Sequence, residues 1–294
     1  MKLLHIYQNT LDGMLLFYTA TDFLVYFSII CTASRKHDVK LIGICPMYDH
    51  LHNLAQADSR NRVSAFVRDY TRDYSIALNT SFGNRGQIFN HTFGCAVKTG
   101  DRAIRTACSY LYNNPCEKGL CIRAEYYRWS FLAYAESANP FSERIRLNIA
   151  SMPLRGALKE IDAFRKQGKG LNHALLNRLF SKLSRVEKNQ LTDYIITQYN
   201  CIDYKALISL YGSYDKMCLA FASNQGSEYE INEVFEPGGH KIYPAISAAL
   251  INDFGFGSVK DALRQSDDKK RDLVRQLKFM TGAQEWQLRK YFRL

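Results

Sequence analysis

The chain has 294 residues, with 39 Lys and Arg against 28 Asp and Glu, a formal net charge of +11. Its 47% apolar and 23% charged residues are those of a chain with a packed core, which excludes a disordered tail or a fibre. The basic excess points to a polyanion, nucleic acid or an anionic membrane surface, without choosing between them.

The predicted elements alternate at first. Leu3 to Thr10 alternates apolar and polar and reads as a strand, Thr21 to Arg35 as a largely apolar helix, and Val39 to Met47 as an apolar strand ending at Pro46. After a turn at Tyr48-Asp49, His50 to Gln56 alternates again, with His50, His52 and Leu54 on one face and Leu51 and Asn53 on the other. Ser59 to Asn79 is an amphipathic helix with a stripe of Val63, Phe66, Val67, Tyr70 and Tyr74. Gly83 to Gly86 is a loop, Gln87 to Lys98 is extended, and Asp101 to Asn113 is a helix stopped by Pro115. Strands separated by helices around one hairpin predict an antiparallel sheet with helices on one face.

From Asn139 helical periodicity takes over. It predicts helices over 153–167, 171–183, 186–199, 204–211, 214–223, 243–252 and 267–280, with a capping box at Ser184 and Glu187. The boundary is set at Ala138-Asn139-Pro140, giving parts 1–138 and 139–294. The first carries a net charge of +4 and the second +7. The chain closes as helix, Thr281-Gly282-Ala283, then helix Gln284 to Arg293. This is a helix-turn-helix or a plain surface hairpin. Leu273, Leu277, Trp286, Leu288 and Phe292 are its expected core, with Arg289, Lys290 and Arg293 facing outward. Gly238-Gly239-His240 reads as a loop rather than a site.

The eight cysteines form no C-x-x-C pair and lie in apolar or helical patterns, so they read as reduced structural thiols. Lys2 ahead of a strand-like run, without a small-residue cleavage site, predicts no secretory signal. The uninterrupted apolar run from Phe23 to Ile30 is far short of the roughly 20 residues that span a bilayer.

Two features carry chemistry. On a strand, His50 and His52 share a face and can reach one metal, with Leu51 anchoring the strand beneath. The alternative is two ordinary surface or core histidines. Tyr110 and Asn114 are four apart, one helical turn on the same face. The amide oxygen of Asn114 suits Mg or Mn, and the phenol of Tyr110 is a candidate nucleophile, unless it is simply a core tyrosine. Together they fit attack on a phosphodiester by a tyrosine beside a metal.

The run Tyr110–Pro115 with Gly119-Leu120, then Glu125-Tyr126-Tyr127-Arg128-Trp129-Ser130, after Asp49-His50-Leu51-His52, resembles the HUH single-strand transposases. The closest branch is the REP-associated tyrosine transposases. That signature pairs Pro-Asn-His-hydrophobic-His with Tyr-Ile-x-x-Asn-Pro, a Gly-Leu and Asp/Glu-Tyr-x-Trp-Ser. The resemblance covers roughly residues 1–135. It implies a ferredoxin-like α+β nuclease fold followed by an all-α accessory DNA-binding region. His50, His52 and Asn114 would be metal ligands and Tyr110 the nucleophile, with Mg2+ or Mn2+ as cofactor. It further implies single-stranded DNA bearing hairpins as substrate, a 5′-phosphotyrosine intermediate, no membrane partner, and a bacterial cytoplasmic, nucleoid-associated location. Whether Tyr110 serves its own subunit or a partner's stays open, so a homodimer is one allowed assembly.

The chain departs from the family pattern at Tyr48-Asp49, Phe89 and Thr92. Asp49 is read as a turn residue or as an orienter of the ligands. The arginines of the 59–79 helix, Arg60 and Arg62 among them, contact phosphate or form a solvated face. Lys98, Arg102 and Arg105 lie nearer the site, and Arg289, Lys290 and Arg293 supply the tail. Two other readings are a domesticated hairpin-binding protein without transposition activity and a replication- or transfer-initiating nickase.

Overall fold

The computed structural model describes residues 2–223 and 239–294. Strands β1 (Lys2–Asn9), β2 (Lys40–Pro46), β3 (His50–Gln56) and β4 (Gly94–Thr99) form one antiparallel sheet in the order β2-β3-β1-β4. The predicted alternation decides which side each residue buries. Leu4, Ile6, Leu51 and Ala55 turn to helices α1 (Ala20–His37) and α2 (Arg60–Phe82). Leu3, Ile42, Cys45 and Leu54 turn to α3 (Asp101–Glu117) on the opposite face. The expectation of helices on one face is therefore corrected: both faces are covered, because both sets of alternating positions on β2 are apolar and both sets on β3 are buried.

Local signals explain the helix ends. Thr19 and Asp22 make a reciprocal capping box that starts α1. The Ser59 side chain accepts from the Arg62 backbone N–H at the start of α2, and Gly83 closes that helix with φ +70°. Two expectations fail locally. Pro115 does not stop α3, which runs one half-turn further to Glu117 before Gly119 adopts φ +71°. In the last turn, the one backbone bond that Pro lacks is outweighed by burial of the Leu111 and Tyr112 side chains. The extended stretch 87–98 contributes only β4, with Phe89 making an isolated bridge to Thr10.

Helices α4 (Met152–Lys166), α5 (His173–Phe180), α6 (Arg185–Tyr199), α7 (Tyr204–Ser209), α8 (Tyr214–Ser223), α9 (Ile242–Asn252), α11 (Asp267–Thr281) and α12 (Glu285–Phe292) match predicted positions. The short α10 (Val259–Leu263) and the 3-10 turns between Ala124 and Ala135 are additions to the predicted elements. Ser184 and Glu187 form the expected capping box. The core over α1 and α2 continues through Leu158, Leu176, Ile195, Leu250 and Leu288. Buried Asp22 binds His173 and Lys260 on α5 and α10. Ile202 bridges in parallel to Leu41, whose carbonyl accepts from the Asp203 N–H at 2.8 Å. Of the eight cysteines Cys31, Cys45, Cys108 and Cys218 are buried, whereas Cys95 is exposed on edge strand β4. No helix among the described residues is long and apolar enough to cross a membrane.

Candidate active site

Strand β3 pairs with β1 in a register that sets His52 opposite Tyr7 and His50 opposite Asn9. His5 and Tyr7 thus share the α3 face of the sheet with the histidine pair. The rings of His50 and His52 lie 4.8 Å apart, and Tyr110 on α3 stands edge-on to His52 at 5.3 Å and to His5 at 5.7 Å. Three of the four predicted chemical residues are thereby brought together. Asn114 follows one turn along α3, 2% exposed, and its Oδ1 has no hydrogen-bond partner. A buried amide oxygen left unpaired is costly, and ligation of a cation is one way to satisfy it.

Burial disfavours the charged form of two of these imidazoles, His5 and His52. Burial, followed by the charge of Lys98, lowers His5 to about 4. Burial, with His50 and His5 adding to it, holds His52 well below the usual histidine value. His5 Nε2 and His52 Nδ1 are 3.1 Å apart and share one proton between them. With that proton on His52 Nδ1, its Nε2 keeps a lone pair. Asp49 Oδ1 accepts from His50 Nδ1 at 2.6 Å, which leaves His50 Nε2 buried with no hydrogen-bond partner. These are the outer contacts that fix the tautomer of a metal-binding histidine.

A second grouping overlaps this one. Asp49, His50 and His240 bring a carboxylate and two imidazoles within 4.8 Å of one another, a donor set that can hold a metal. The 2.6 Å and 3.2 Å contacts of Asp49 to His50 and His240 are, however, N–H···O hydrogen bonds. That makes Asp49 an orienter here, although it also sits in the predicted turn. Burial alone would raise its carboxyl, but hydrogen bonds from His240 and His50 outweigh it and hold it well below the usual carboxylate range. His240 lies in a turn, as expected, and that turn brings it against Asp49 and His50, a contact the sequence reading does not include. Gly238 lies outside the described residues. Its own segment does not signal this, because Asp49 and Tyr48, which it meets, lie about 190 residues earlier in the chain. His5 could have been found, since it lies on the same strand face as the pair once β1 and β3 are aligned.

The basic residues divide. Arg60 is exposed and lines a cavity of about 610 Å3 with Lys2, Ser64, His91 and Phe93. Arg62 is spent on Asp38 and Asp58. Lys98 is half-buried near His5, and Arg102 and Arg105 are exposed on the first turns of the helix that carries Tyr110. Arg289 is exposed, but Lys290 and Arg293 do not face outward as expected. Lys290 Nζ binds Asp49 Oδ2, and Arg293 bonds the Tyr18 hydroxyl and the Leu15 carbonyl. Trp286 is 47% exposed instead of lying in the small core. Both changes have one cause: α12 packs on the first part of the chain through Leu288, Tyr291 and Phe292, so the opposite side faces solvent.

A histidine pair on an antiparallel sheet, facing a tyrosine and an amide on one helix, defines a candidate metal-and-nucleophile site. Residues 19–114 match the family model described as "Transposase IS200 like", about a third of the chain. The matched segment contains His50, His52 and Tyr110 and ends at Asn114. Among solved structures the chain is similar to a REP-associated tyrosine transposase bound to a REP hairpin, at 14% identity and a TM-score of 0.34, over 42% of this chain and 73% of that one. No curated protein matches the chain.

Proposed function

We propose that the protein is a metal-dependent, tyrosine-nucleophile endonuclease and strand transferase acting on single-stranded DNA next to hairpins. The observation that carries this reading is the edge-on approach of Tyr110 to His52, on the helix that also holds the unpaired Asn114 oxygen. His50, His52 and Asn114 would hold Mg2+ or Mn2+, which supplies positive charge to the scissile phosphate when bound. Tyr110 gives up its phenolic proton and attacks phosphorus. The bond to the 3′ oxygen breaks, that oxygen leaves with a proton as a 3′-OH, and a 5′-phosphotyrosine remains. Reversal by another 3′-OH rejoins strands and frees Tyr110. His5 and Asp49 hold the two imidazoles in their ligand tautomers. Arg102 and Arg105, exposed on the tyrosine helix, are suited to phosphates of the bound strand. Residues 139–294 act as a helical accessory part that helps hold the DNA.

The test is incubation with a labelled hairpin-bearing single strand and Mn2+ or Mg2+. A covalent adduct is expected that disappears in Tyr110→Phe and with EDTA. Hairpin binding without any adduct in the unaltered protein would favour the domesticated binder and refute the enzyme.

A further inference from the structure

Asp49 sits at the mouth of the hairpin between β2 and β3, yet two of the three side chains that hold it come from the far end of the chain. We propose that Asp49, His240 and Lys290 are positioning residues through which the C-terminal helical part sets the orientation of the ligand His50. This inference rests on the metal reading above.

The carboxylate uses both oxygens. Oδ1 accepts from His50 Nδ1 at 2.6 Å and from His240 Nε2 at 3.2 Å, and Oδ2 accepts from Lys290 Nζ at 2.5 Å. A carboxylate held by His50 alone could swing about its own side-chain bonds. Donors on both oxygens leave one orientation, and His50 is bound to that orientation through its Nδ1–H. The outer groups are themselves anchored. His240 packs between the rings of Tyr48 and Tyr243, each 5.7 Å away, and the carbonyl of its neighbour Gly239 accepts from Gln287 on α12 at 3.1 Å. Lys290 projects from α12 between buried Leu288 and Tyr291, and Tyr291 in turn bonds Ser247 on α9 at 2.6 Å. The carbonyl of Tyr291 accepts from the Tyr18 hydroxyl at 3.3 Å, which ties α12 to the segment before α1. The result at the ligand is a buried His50 Nε2 with no hydrogen-bond partner, the nitrogen a cation would take.

The experiment measures Mn2+ affinity directly by electron paramagnetic resonance on the full chain, without DNA. His240→Ala and Lys290→Met should each weaken Mn2+ by about 10-fold or more, the usual effect of losing an outer-shell partner. His240→Gln and Lys290→Arg, which keep a donor, should recover most of that loss. Lys290→Met leaves the buried side of α12 intact, so it reads the relay even if the His240 variant fails to fold. Unchanged affinity in Lys290→Met, with binding abolished in His50→Ala, overturns this inference alone. So does a loss that Lys290→Arg does not rescue, which marks general packing, or a rise in affinity, which marks a cover over the site. Absence of any Mn2+ binding by the unaltered protein overturns the metal reading and this inference with it.

Discussion

Replacing Asp22 with Asn tests how the two parts of the chain hold together. The Asp22 carboxylate is fully buried and accepts from the Tyr18 N–H at 3.0 Å, the Thr19 N–H at 2.8 Å, the Thr19 hydroxyl at 2.9 Å, and His173 Nε2 and Lys260 Nζ, each at 2.8 Å. Asn keeps the shape and the backbone contacts but removes the charge, so the buried Lys260 ammonium loses its counter-ion. Discharging that Lys at neutral pH would cost about 4–5 kcal/mol from its ordinary pKa of about 10.4. Losing one partner of a buried pair typically costs about 3–5 kcal/mol. Because Lys260 keeps its bond to Ser81 Oγ at 3.0 Å, the low end, about 3 kcal/mol, is expected. Urea unfolding followed by circular dichroism reads it. The double variant with Lys260→Met should lose at least about 1 kcal/mol less than the sum of the two singles, since neither charge is then left alone. Acid unfolding gives a second reading. Burial alone would raise the Asp22 carboxyl, but Lys260 and His173 hold it well below the usual carboxylate range. Its contribution is then complete above about pH 4 and is lost as pH falls below that value, so Asp22→Asn should flatten the acid limb. A loss under about 1 kcal/mol, or strict additivity, would refute the reasoning.

Four further outcomes are expected. Tyr110→Phe should leave hairpin affinity in a gel-shift assay close to that of the unaltered protein while removing the adduct. Replacing Arg102 and Arg105 together by Ala should reduce the slope of log affinity for a single strand against log salt by about 1.4, two phosphate contacts at about 0.7 each, measured by fluorescence anisotropy. Ser184→Ala removes the side-chain cap of α6 and should cost about 1 kcal/mol in urea unfolding. A Cβ at Gly94 would lie 1.9 Å from Tyr7 Cζ across the β1–β4 pair. Gly94→Ala should therefore displace the Tyr7 ring and cost about 1–3 kcal/mol, read by thermal melting.

Much of this was legible because it is periodic. The His50–His52 pair on one strand face and the Tyr110–Asn114 pair on one helix turn follow from spacing alone, as do the four strands. Two-sided coverage of the sheet is not legible, because a strand such as β2, apolar on both faces, does not show which helix takes which side. The end of α3 and the facing of α12 depart from the sequence expectation where tertiary burial of Leu111, Tyr112, Tyr291 and Phe292 outweighs local signals. Asp49, His240 and Lys290 illustrate the wider limit. Each looks ordinary in its own segment, and only long-range packing makes them one group. His5 is intermediate: its strand is legible, but its bond to His52 needs the β1–β3 register.

The backbone contact between Leu41 and the 202–203 segment also bears on how residues 1–138 would behave by themselves. Strand β2 is an outer strand, and that segment, reinforced by the Lys40–Asp203 ion pair at 2.5 Å, occupies part of its open side. Cut away from residues 139–294, the sheet would offer this row of amide and carbonyl groups as a template for another copy's strand. The helical part thus guards solubility as well as holding its neighbour in place. A fragment shortened to residues 1–138 is expected to associate edge to edge unless β2 is first blunted with charge or proline.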